Sequence, residues 1–296
     1  MKVCVTGWSG FLGQYICKAA LKKKDILLIK LGKSDLSDIK WDITQGNILI
    51  PQVDLFIHNA GLAHINQNNS QELFYRVNEI GTINICKSIS QSKTFPNTFV
   101  FISTVAVYGA TVGELITEDS VKKPLNAYGQ SKLNAEKYLR NWADNNNVNL
   151  IILRLPLVVG FNPPGNLGAM IKAIRHRYYF RYGNGESQRS IVLAEDISEF
   201  LFSCYGKHGE MNLTDNINPT FSELEDYIAF RLKRRIFLLP KWIIRTIAFF
   251  GDFVPLIPIN SYRIKIIENT VTFSTEKAIT SYSWKPRPVI GNFEIQ

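Results

Sequence analysis

The chain has 296 residues and a net charge of +9, and its 46% hydrophobic and 20% charged residues are typical of a folded globular protein, which excludes disorder. No nucleic-acid-binding motif accompanies the positive charge, so we expect no nucleic-acid partner and a phosphate-rich small ligand instead. The four cysteines stand far apart in apolar segments, which favours buried thiols over disulfides or a metal site.

Apolar runs and amphipathic stretches alternate along the first half of the chain. The predicted strands are Lys2–Thr6, Asp25–Leu31, Val53–His58, Thr98–Ser103 and Leu150–Leu155, and the predicted helices are Phe11–Lys23, Ser70–Ser92 and Asn126–Asn145. Continuously apolar strands separated by helices indicate a parallel sheet covered on both faces. The pattern predicts an α/β fold with a Rossmann-type doubly wound parallel sheet.

The regular alternation ends after Pro156. Ile191–Tyr205 is predicted to form one more strand and helix of the sheet domain. We therefore predict a dinucleotide-binding domain of residues 1–162 and 186–214, and a smaller C-terminal substrate-binding lobe of residues 163–185 and 215–296.

The segment Leu238–Pro258 is very apolar but contains charged residues and prolines, so it cannot form a helix that crosses a membrane. A helix of the substrate lobe is the favoured interpretation, and a helix at a membrane surface is the alternative because Trp242 and nearby cations suit such an interface. The basic clusters Lys22–Lys24 and Arg231–Arg235 are interpreted as solvated helix faces. The chain shows no signal peptide, and a cytoplasmic location is expected.

Three glycines follow the first predicted strand directly and precede a helix. In this position Gly7 permits a tight turn, Gly10 lets the backbone approach a pyrophosphate, and Gly13 allows close packing of helix and strand. The pyrophosphate is expected at the helix N-terminus, where Phe11 and Leu12 begin the first turn. This pattern predicts a dinucleotide cofactor.

The residues after the second strand bear on which dinucleotide is bound. An acid at this point binds the ribose 2′-hydroxyl of NAD, whereas a cation accommodates the 2′-phosphate of NADP. The strand ends at Leu31, and Lys33 precedes the first acid, Asp35. NADP(H) is therefore favoured over NAD(H), although Lys33 on its own is also compatible with a solvated side chain.

Tyr128 and Lys132 stand four residues apart on a predicted helix and so share one face. A phenol with a pKa near 10 is a poor acid–base group at neutral pH, and a neighbouring ammonium stabilises the phenolate. The pair therefore predicts acid–base catalysis.

The fingerprint Thr6–Gly13, with its Gly-x-x-Gly-x-x-Gly spacing, resembles that of the extended short-chain dehydrogenase/reductases, the NAD(P)-dependent epimerase/dehydratase family. The resemblance continues through Trp41–Ile43, Asp54–Gly61, Phe101–Gly109 and the Tyr128–Lys132 segment. It implies cofactor contacts at Asp42, Ile43, Asn59, Ala60, Gly61, Ser103, Lys132 and Pro156, and a supporting role for Asn78.

The resemblance also implies a hydroxyl that binds the substrate oxygen, at Thr104 or, failing that, Ser103. Dehydratases of the family carry Asp-Glu after this residue, where this chain has Val105 and Ala106. Dehydration is therefore not expected. Hydride transfer with Tyr128 as the acid–base group remains, which serves both epimerases and 4-ketoreductases.

On the substrate side, Asn166 and Arg189 resemble the family residues that hold the nucleotide and the diphosphate of a sugar nucleotide. A surface ion pair with Glu195 or Asp196 is the alternative interpretation of Arg189. The expected substrate is a UDP-hexose or UDP-N-acetylhexosamine, and the resemblance implies a homodimer. An NADPH-dependent reductase of a lipid-like or aromatic substrate and a non-catalytic dinucleotide-binding protein are the alternatives.

Overall fold

The computed structural model describes residues 1–63, 71–240, 242–243, 245–246, 249 and 267–295. The strands are β1 (Lys2–Thr6), β2 (Leu27–Gly32), β3 (Ile39–Lys40), β4 (Leu55–His58), β5 (Thr98–Thr104), β6 (Gly113–Ile116), β7 (Asn149–Leu155), β8 (Leu157–Val159), β9 (Phe180–Tyr182), β10 (Ile191–Leu193), β11 (Gly209–Asn212), β12 (Phe237–Leu239) and β13 (Val271–Phe273). The helices are α1 (Phe11–Leu21), α2 (Glu72–Phe74), α3 (Gly81–Ser92), α4 (Ala127–Asn146), α5 (Gly165–Arg175), α6 (Ala194–Leu201), α7 (Phe221–Leu232) and α8 (Glu276–Tyr282), and a π-helical turn at Tyr75–Ile80 joins α2 to α3.

Seven strands form one parallel sheet in the order β11–β7–β5–β4–β1–β2–β3. β1 lies between β2 and β4, with Val3 opposite both Leu28 and Leu55. The chain winds outward from β1 in both directions, so the carboxyl ends of β1 and β4 border the crevice where such sheets bind ligands. The predicted Rossmann-type doubly wound sheet is confirmed.

Both faces of the sheet are covered by helices, which explains why its central strands are continuously apolar. On one face Val5 belongs to a buried cluster with Ile16 of α1 and Ile197 of α6. On the other face Phe56 and Phe99 stack with ring centroids 5.1 Å apart, in a cluster shared with α3 and α4. The buried side chains of the two faces alternate along each strand, as strand geometry requires.

The strand and helix predicted within Ile191–Tyr205 are present as β10 and α6. β10 pairs with β8 in a separate two-stranded sheet, and α6 packs in the buried cluster on one face of the central sheet. The edge position is taken by β11, which pairs with β7. Its sequence, Gly-Glu-Met-Asn, lacks the apolar run that identified the other strands, because its polar side chains bind buried polar partners.

The C-terminal part of the chain packs around a third cluster, which includes Leu167 of α5, Leu224 and Ile228 of α7, and Phe293. Two further parallel pairs are β9 with β12 and β6 with β13, and Phe273 of β13 belongs to a separate small cluster with Leu133. Because β6 lies in the first half of the chain, the lobe is held to the sheet by pairing as well as by connections. The residue bounds of the two predicted domains stay a prediction.

The cysteines lie as predicted, without disulfides. Cys4, Cys86 and Cys204 are buried and Cys17 is half-buried, and all four thiols are free. Burial raises the pKa of Cys4 and of Cys204 to about 12, so both remain protonated, unreactive thiols at neutral pH.

Candidate functional site

The turn between β1 and α1 brings the main chain very close to the loop after β4. Gly7 has φ +66°, in the left-handed region that favours glycine, and a Cβ there would lie 2.7 Å from the backbone of Ala60. A Cβ on Gly13 would lie 2.1 Å from the Gly7 carbonyl oxygen, so the helix can approach the strand only with glycine there. α1 begins after Gly10 without a side-chain cap, which leaves the N–H groups of its first turn for an anion.

A cleft of about 820 Å³ opens above this turn at the carboxyl edge of the sheet, a size that suits a dinucleotide-class ligand. Most predicted cofactor residues line it: Gly7, Gly10, Phe11, Leu12, Lys33, Ile43, Asn59, Ala60, Gly61, Ser103, Tyr128, Lys132 and Pro156. Gly13, Asp42 and Asn78 lie directly behind this lining, where they contact Gly7, Lys33 and Leu62 respectively. The sequence pattern therefore brings its predicted cofactor residues together.

The far end of the cleft, beyond β2, carries positive charge. Lys33 lies on the wall, and its ammonium is 2.9 Å from a carboxylate oxygen of Asp42. Burial alone would raise the pKa of Asp42, but its hydrogen bonds with Lys33 and Thr44 outweigh burial and hold that pKa below its usual value. The Lys30 ammonium lies 5.0 Å from the centre of the Trp8 ring, which also lines the cleft. Two lysines are therefore available at this end of the cleft, and the charge of Lys33 is partly compensated by Asp42.

Thr104 and Tyr128 face each other across the other end of the cleft. Thr104 ends β5, and Tyr128 lies in the first turn of α4, which begins where the Asn126 side chain accepts a 2.9 Å hydrogen bond from the Gly129 amide. Burial raises the pKa of the Tyr128 phenol, and a hydrogen bond with the Thr104 hydroxyl partly offsets this effect. The two hydroxyls can therefore contact one substrate oxygen.

Lys132 lies one turn further along α4 and is almost completely buried. Burial lowers the pKa of Lys132 to about 7, and the carboxylate of Glu136 opposes this effect. The Lys132 ammonium lies 3.9 Å from the centre of the Phe101 ring. A Cβ on Gly61 would lie 3.7 Å from the same ammonium nitrogen. A lysine with a pKa this close to neutrality can exchange protons at physiological pH.

Asn78 lies in the π-helical turn and ties the cofactor loop to the catalytic helix. Its side-chain oxygen accepts a 2.7 Å hydrogen bond from the Leu62 amide, and its Nδ2 donates to the Leu62 carbonyl and to the Ser131 hydroxyl at 3.0 Å. The extra residue of a π turn is a common way to aim a side chain at a functional site. We predicted one continuous helix from Ser70; Ser70 lies outside the described residues, and the helical region begins at Glu72 with this turn inside it.

His58, which sequence analysis missed, extends the same network beneath the cleft. The imidazole lies between the hydroxyls of Thr6, at 2.8 Å, and Thr82, at 2.9 Å. Thr82 donates its proton to the Asn78 carbonyl, so it accepts from His58 Nε2, which assigns the proton to that nitrogen. Burial and the charge of Lys132 lower the pKa of His58 well below its usual value, so the ring is neutral.

Glu136, also missed, accepts a 2.6 Å hydrogen bond from the Ser103 hydroxyl. Its position four residues after Lys132 puts both on one helix face, which was the available signal for it. Ser103 is thereby held beneath the cleft, while the neighbouring Thr104 hydroxyl points to Tyr128.

Neither predicted substrate residue is among those that line this cleft. Asn166 is exposed in the first turn of α5, close after Pro164 of the cleft wall. Arg189 is half-buried, and its guanidinium donates to the backbone carbonyls of Gln188 and Asn269. Burial lowers the pKa of Arg189.

The two carboxylates that the alternative interpretation of Arg189 invoked have another partner. Arg287 donates to Asp196 Oδ1 at 2.7 Å and to Glu195 Oε2 at 2.9 Å. This ion pair joins the C-terminal segment to α6.

Three features define an NAD(P)-binding Rossmann protein: the doubly wound sheet, the glycine turn before α1, and the cleft lined by the predicted cofactor residues. The model of the NAD-dependent epimerase/dehydratase family matches residues 3–214, and the chain belongs to that family. The resemblance that the motifs indicated is thereby confirmed.

Curated relatives are distant but match most of the chain. GDP-6-deoxy-D-talose 4-dehydrogenase of Aggregatibacter actinomycetemcomitans is 26% identical over 73% of this chain and 74% of its own length. UDP-glucose 4-epimerase of Vibrio cholerae is 25% identical over 80% of this chain and 78% of its own length. An Escherichia coli O157:H7 4-epimerase of N-acetylglucosaminyl-diphospho-undecaprenol is 28% identical over 67% of this chain and 61% of its own length.

Two solved structures illustrate the shared fold. RMD from Pseudomonas aeruginosa, complexed with NADPH, has a TM-score of 0.76 and 19% identity, covering 98% of this chain and 96% of its own. UDP-glucuronic acid 4-epimerase from Bacillus cereus, complexed with NAD, has a TM-score of 0.77 and 18% identity, and the match covers 98% of this chain and 93% of its own. The architecture therefore accommodates either dinucleotide.

Proposed function

We propose that the protein transfers hydride between NADP(H) and C4 of a nucleotide sugar of the UDP-hexose or UDP-N-acetylhexosamine type, as a 4-epimerase or a 4-ketoreductase. One observation carries the proposal: Thr104, Tyr128 and Lys132 line the same cleft as the glycine turn and Lys33. Acid–base groups and a dinucleotide cradle in one cleft are the requirements of carbonyl reduction and carbinol oxidation.

The names of the relatives support the position of reaction. The dehydrogenase from Aggregatibacter and the epimerases from Vibrio and Escherichia are all named for chemistry at position 4 of a sugar. Each sugar is carried on a diphosphate, so the shared substrate class is a diphosphate-linked sugar. We assign the nucleotide to Asn166, which lies two residues after Pro164 of the cleft wall, and the diphosphate to Arg189.

Tyr128, Thr104 and Lys132 have different roles in the proposed hydride transfer. A bound dihydronicotinamide supplies the hydride to a C4 ketone, or its oxidised form accepts one from a C4 alcohol. Tyr128 gives its phenolic proton to the ketone oxygen during reduction and takes the alcohol proton during oxidation. Thr104 donates a hydrogen bond to the same oxygen. Lys132 stabilises the phenolate and returns a proton to it, since its pKa of about 7 allows this exchange.

Dehydration is not part of the proposal. Val105 and Ala106 open the short 3-10 turn directly after Thr104, and neither side chain can transfer a proton. Dehydratases of the family that the chain resembles carry Asp-Glu at these two positions.

The test compares Tyr128→Phe with Tyr138→Phe, a half-buried tyrosine on the same helix. Assays would follow NADPH consumption with UDP-4-keto-6-deoxy sugars and epimerisation of UDP-hexoses by NMR. Tyr128→Phe should lower kcat by about a hundredfold or more, and Tyr138→Phe should leave it near wild type. Equal turnover in both variants, or reduction of apolar ketones without any reaction of nucleotide sugars, would refute the proposal.

A further inference from the structure

The two-stranded sheet formed by β9 and β12 exposes apolar side chains instead of burying them. Phe237 of β12 and Phe180 of β9 are directly paired, so both side chains lie on the same face of this small sheet. Phe237 is 64% exposed and Phe180 is 47% exposed. The adjacent Leu238, at the start of the segment that we interpreted as a lobe helix, is also exposed.

Two further aromatic residues continue this surface. Tyr178, two residues before Phe180, is exposed and stacks on His176 with ring centroids 6.3 Å apart. Trp242, three residues after β12, is 71% exposed. The hydrogen bonds of Glu268 with Tyr182 and with Arg245 hold the turn that carries Trp242 beside the end of β9. The rest of the predicted 238–258 helix lies outside the described residues, apart from a few positions.

Positive charge accumulates at the same end of the lobe. Lys233 and Arg235 stand four and two residues before Phe237, and Arg177 directly precedes Tyr178; all three are exposed. Arg234 donates a 3.1 Å hydrogen bond to the Arg175 carbonyl, which brings the two basic segments together. Residues 171–181 and 227–251 contain no acidic residue.

Three acidic residues near this surface are already paired with other cations. Glu225 and Asp226 on α7 bind Arg181, and Glu268 binds Arg245. We define Phe180, Phe237 and Trp242, with Arg177, Lys233 and Arg235, as the basic–aromatic patch. Within the described part of the chain, none of its three cations forms a salt bridge.

We propose that the basic–aromatic patch docks the protein on the surface of a membrane that contains anionic phospholipid. Exposed aromatic side chains insert at the level of the headgroups, while lysines and arginines beside them contact lipid phosphates. Among the described residues no helix is long and apolar enough to cross a bilayer, so the contact is peripheral.

Two other partners fit the patch less well. A second copy of the chain, related by a twofold axis, would place the cations of the patch against the same cations. A nucleic acid duplex would match the cations, but its phosphate backbone would leave the side chains of Phe180 and Phe237 without an apolar environment. The proposal rests on this surface alone and does not depend on the proposed reaction.

The experiment is co-sedimentation of the full-length protein with vesicles of equimolar phosphatidylcholine and phosphatidylglycerol, and with vesicles of phosphatidylcholine alone. Wild type should pellet with the anionic vesicles and partition at least about tenfold less into the neutral ones. The double variants Phe237→Ser/Trp242→Ser and Lys233→Glu/Arg235→Glu should each lower partitioning at least about tenfold.

Leu21→Ser and Lys24→Glu, which change an exposed leucine and an exposed lysine near the end of α1, serve as matched controls and should bind like wild type. Unchanged melting temperatures would show that every variant is folded. The proposal is overturned if wild type does not sediment with anionic vesicles, or if the patch variants bind these vesicles as well as the controls do. It is also overturned if the patch variants abolish only dimerisation or RNA binding, measured by light scattering and gel shift.

Discussion

Arg154 and Glu136 form an ion pair in which both side chains are fully buried. Arg154 Nε donates to Glu136 Oε1 at 3.1 Å, and Nη2 donates to Oε2 at 2.7 Å, so the pair is bidentate. Because Ser103 donates to the same carboxylate, the pair fastens the ends of β5 and β7 to α4. It thereby sets the distance between the strand that carries Thr104 and the helix that carries Tyr128.

Removal of one partner of this pair should be costly. Arg154→Met leaves the Glu136 carboxylate with less compensation in a fully buried position, and we expect a loss of about 3–5 kcal/mol in the free energy of unfolding. Urea unfolding followed by circular dichroism measures the loss. Lys22→Met, which breaks an exposed ion pair with Glu199, should lose less than about 1 kcal/mol. Losses of equal size in the two variants would contradict the role of the buried pair.

His58 should make the protein sensitive to acid. Its usual pKa is 6.5, and burial lowers the folded-state value well below that. Below pH 6.5 the unfolded chain therefore binds a proton at His58 that the folded protein does not bind, so stability falls as pH falls. The slope from this one group reaches about 1.4 kcal/mol per pH unit.

His58→Gln keeps one donor and one acceptor between Thr6 and Thr82 but does not titrate. We expect its unfolding free energy, measured by urea titration at a series of pH values, to fall less steeply than that of wild type below pH 6.5. His176→Gln, at an exposed histidine, should follow the wild-type slope. A constant difference between wild type and His58→Gln across this range would contradict the assignment of a neutral buried ring.

Gly13 and Gly10 should respond differently to the same change. In Gly13→Ala the new Cβ would lie 2.1 Å from the Gly7 carbonyl, so backbone must move, and we expect a loss of about 1–3 kcal/mol in stability. In Gly10→Ala the nearest atom is 3.3 Å away, so the fold should tolerate the methyl group. That methyl group would nevertheless obstruct the approach of a pyrophosphate.

Thermal unfolding and fluorescence titration with NADPH separate these two effects. Gly13→Ala should lower both the melting temperature and the affinity, whereas Gly10→Ala should lower mainly the affinity. If Gly10→Ala bound NADPH as well as wild type, the pyrophosphate would lie elsewhere.

The fold was predictable where one local pattern decides the structure. β1 begins at Lys2 and ends at Thr6 as predicted, because a short apolar run bounded by a glycine turn has no competing interpretation. β11 was not predictable, since its polar side chains bind partners that are distant in sequence. Glu210 binds Arg140 and Arg154, and Asn212 accepts a hydrogen bond from Tyr108. A strand that depends on side-chain pairing across the fold has no local signature.

The site follows the same rule. The glycines and the Tyr128–Lys132 pair have fixed spacings, so the sequence alone places each set on one turn or one helix face. His58 and Glu136 could not be assigned in this way, because their roles come from hydrogen bonds to other segments. We expected Lys132 to lower the pKa of Tyr128. In the structure burial raises that pKa and Thr104 opposes it, so the contribution of Lys132 stays part of the proposed function.

Lys33 provides the test of cofactor preference. Its ammonium is 68% exposed and pairs with Asp42, so it can turn toward a 2′-phosphate at small cost. Lys33→Ala should weaken NADPH binding about tenfold, roughly 1.4 kcal/mol, and change NADH binding little, because only NADPH carries the additional phosphate. Lys40→Ala removes an exposed lysine on β3 that pairs with Asp35. It is the matched control and should bind both cofactors like wild type.

Fluorescence titration of each variant with both cofactors gives the ratio of the NADPH and NADH affinities directly. An unchanged ratio in Lys33→Ala would show that Lys33 does not select NADP(H), and tighter binding of NADH than NADPH by wild type would reverse the preference itself.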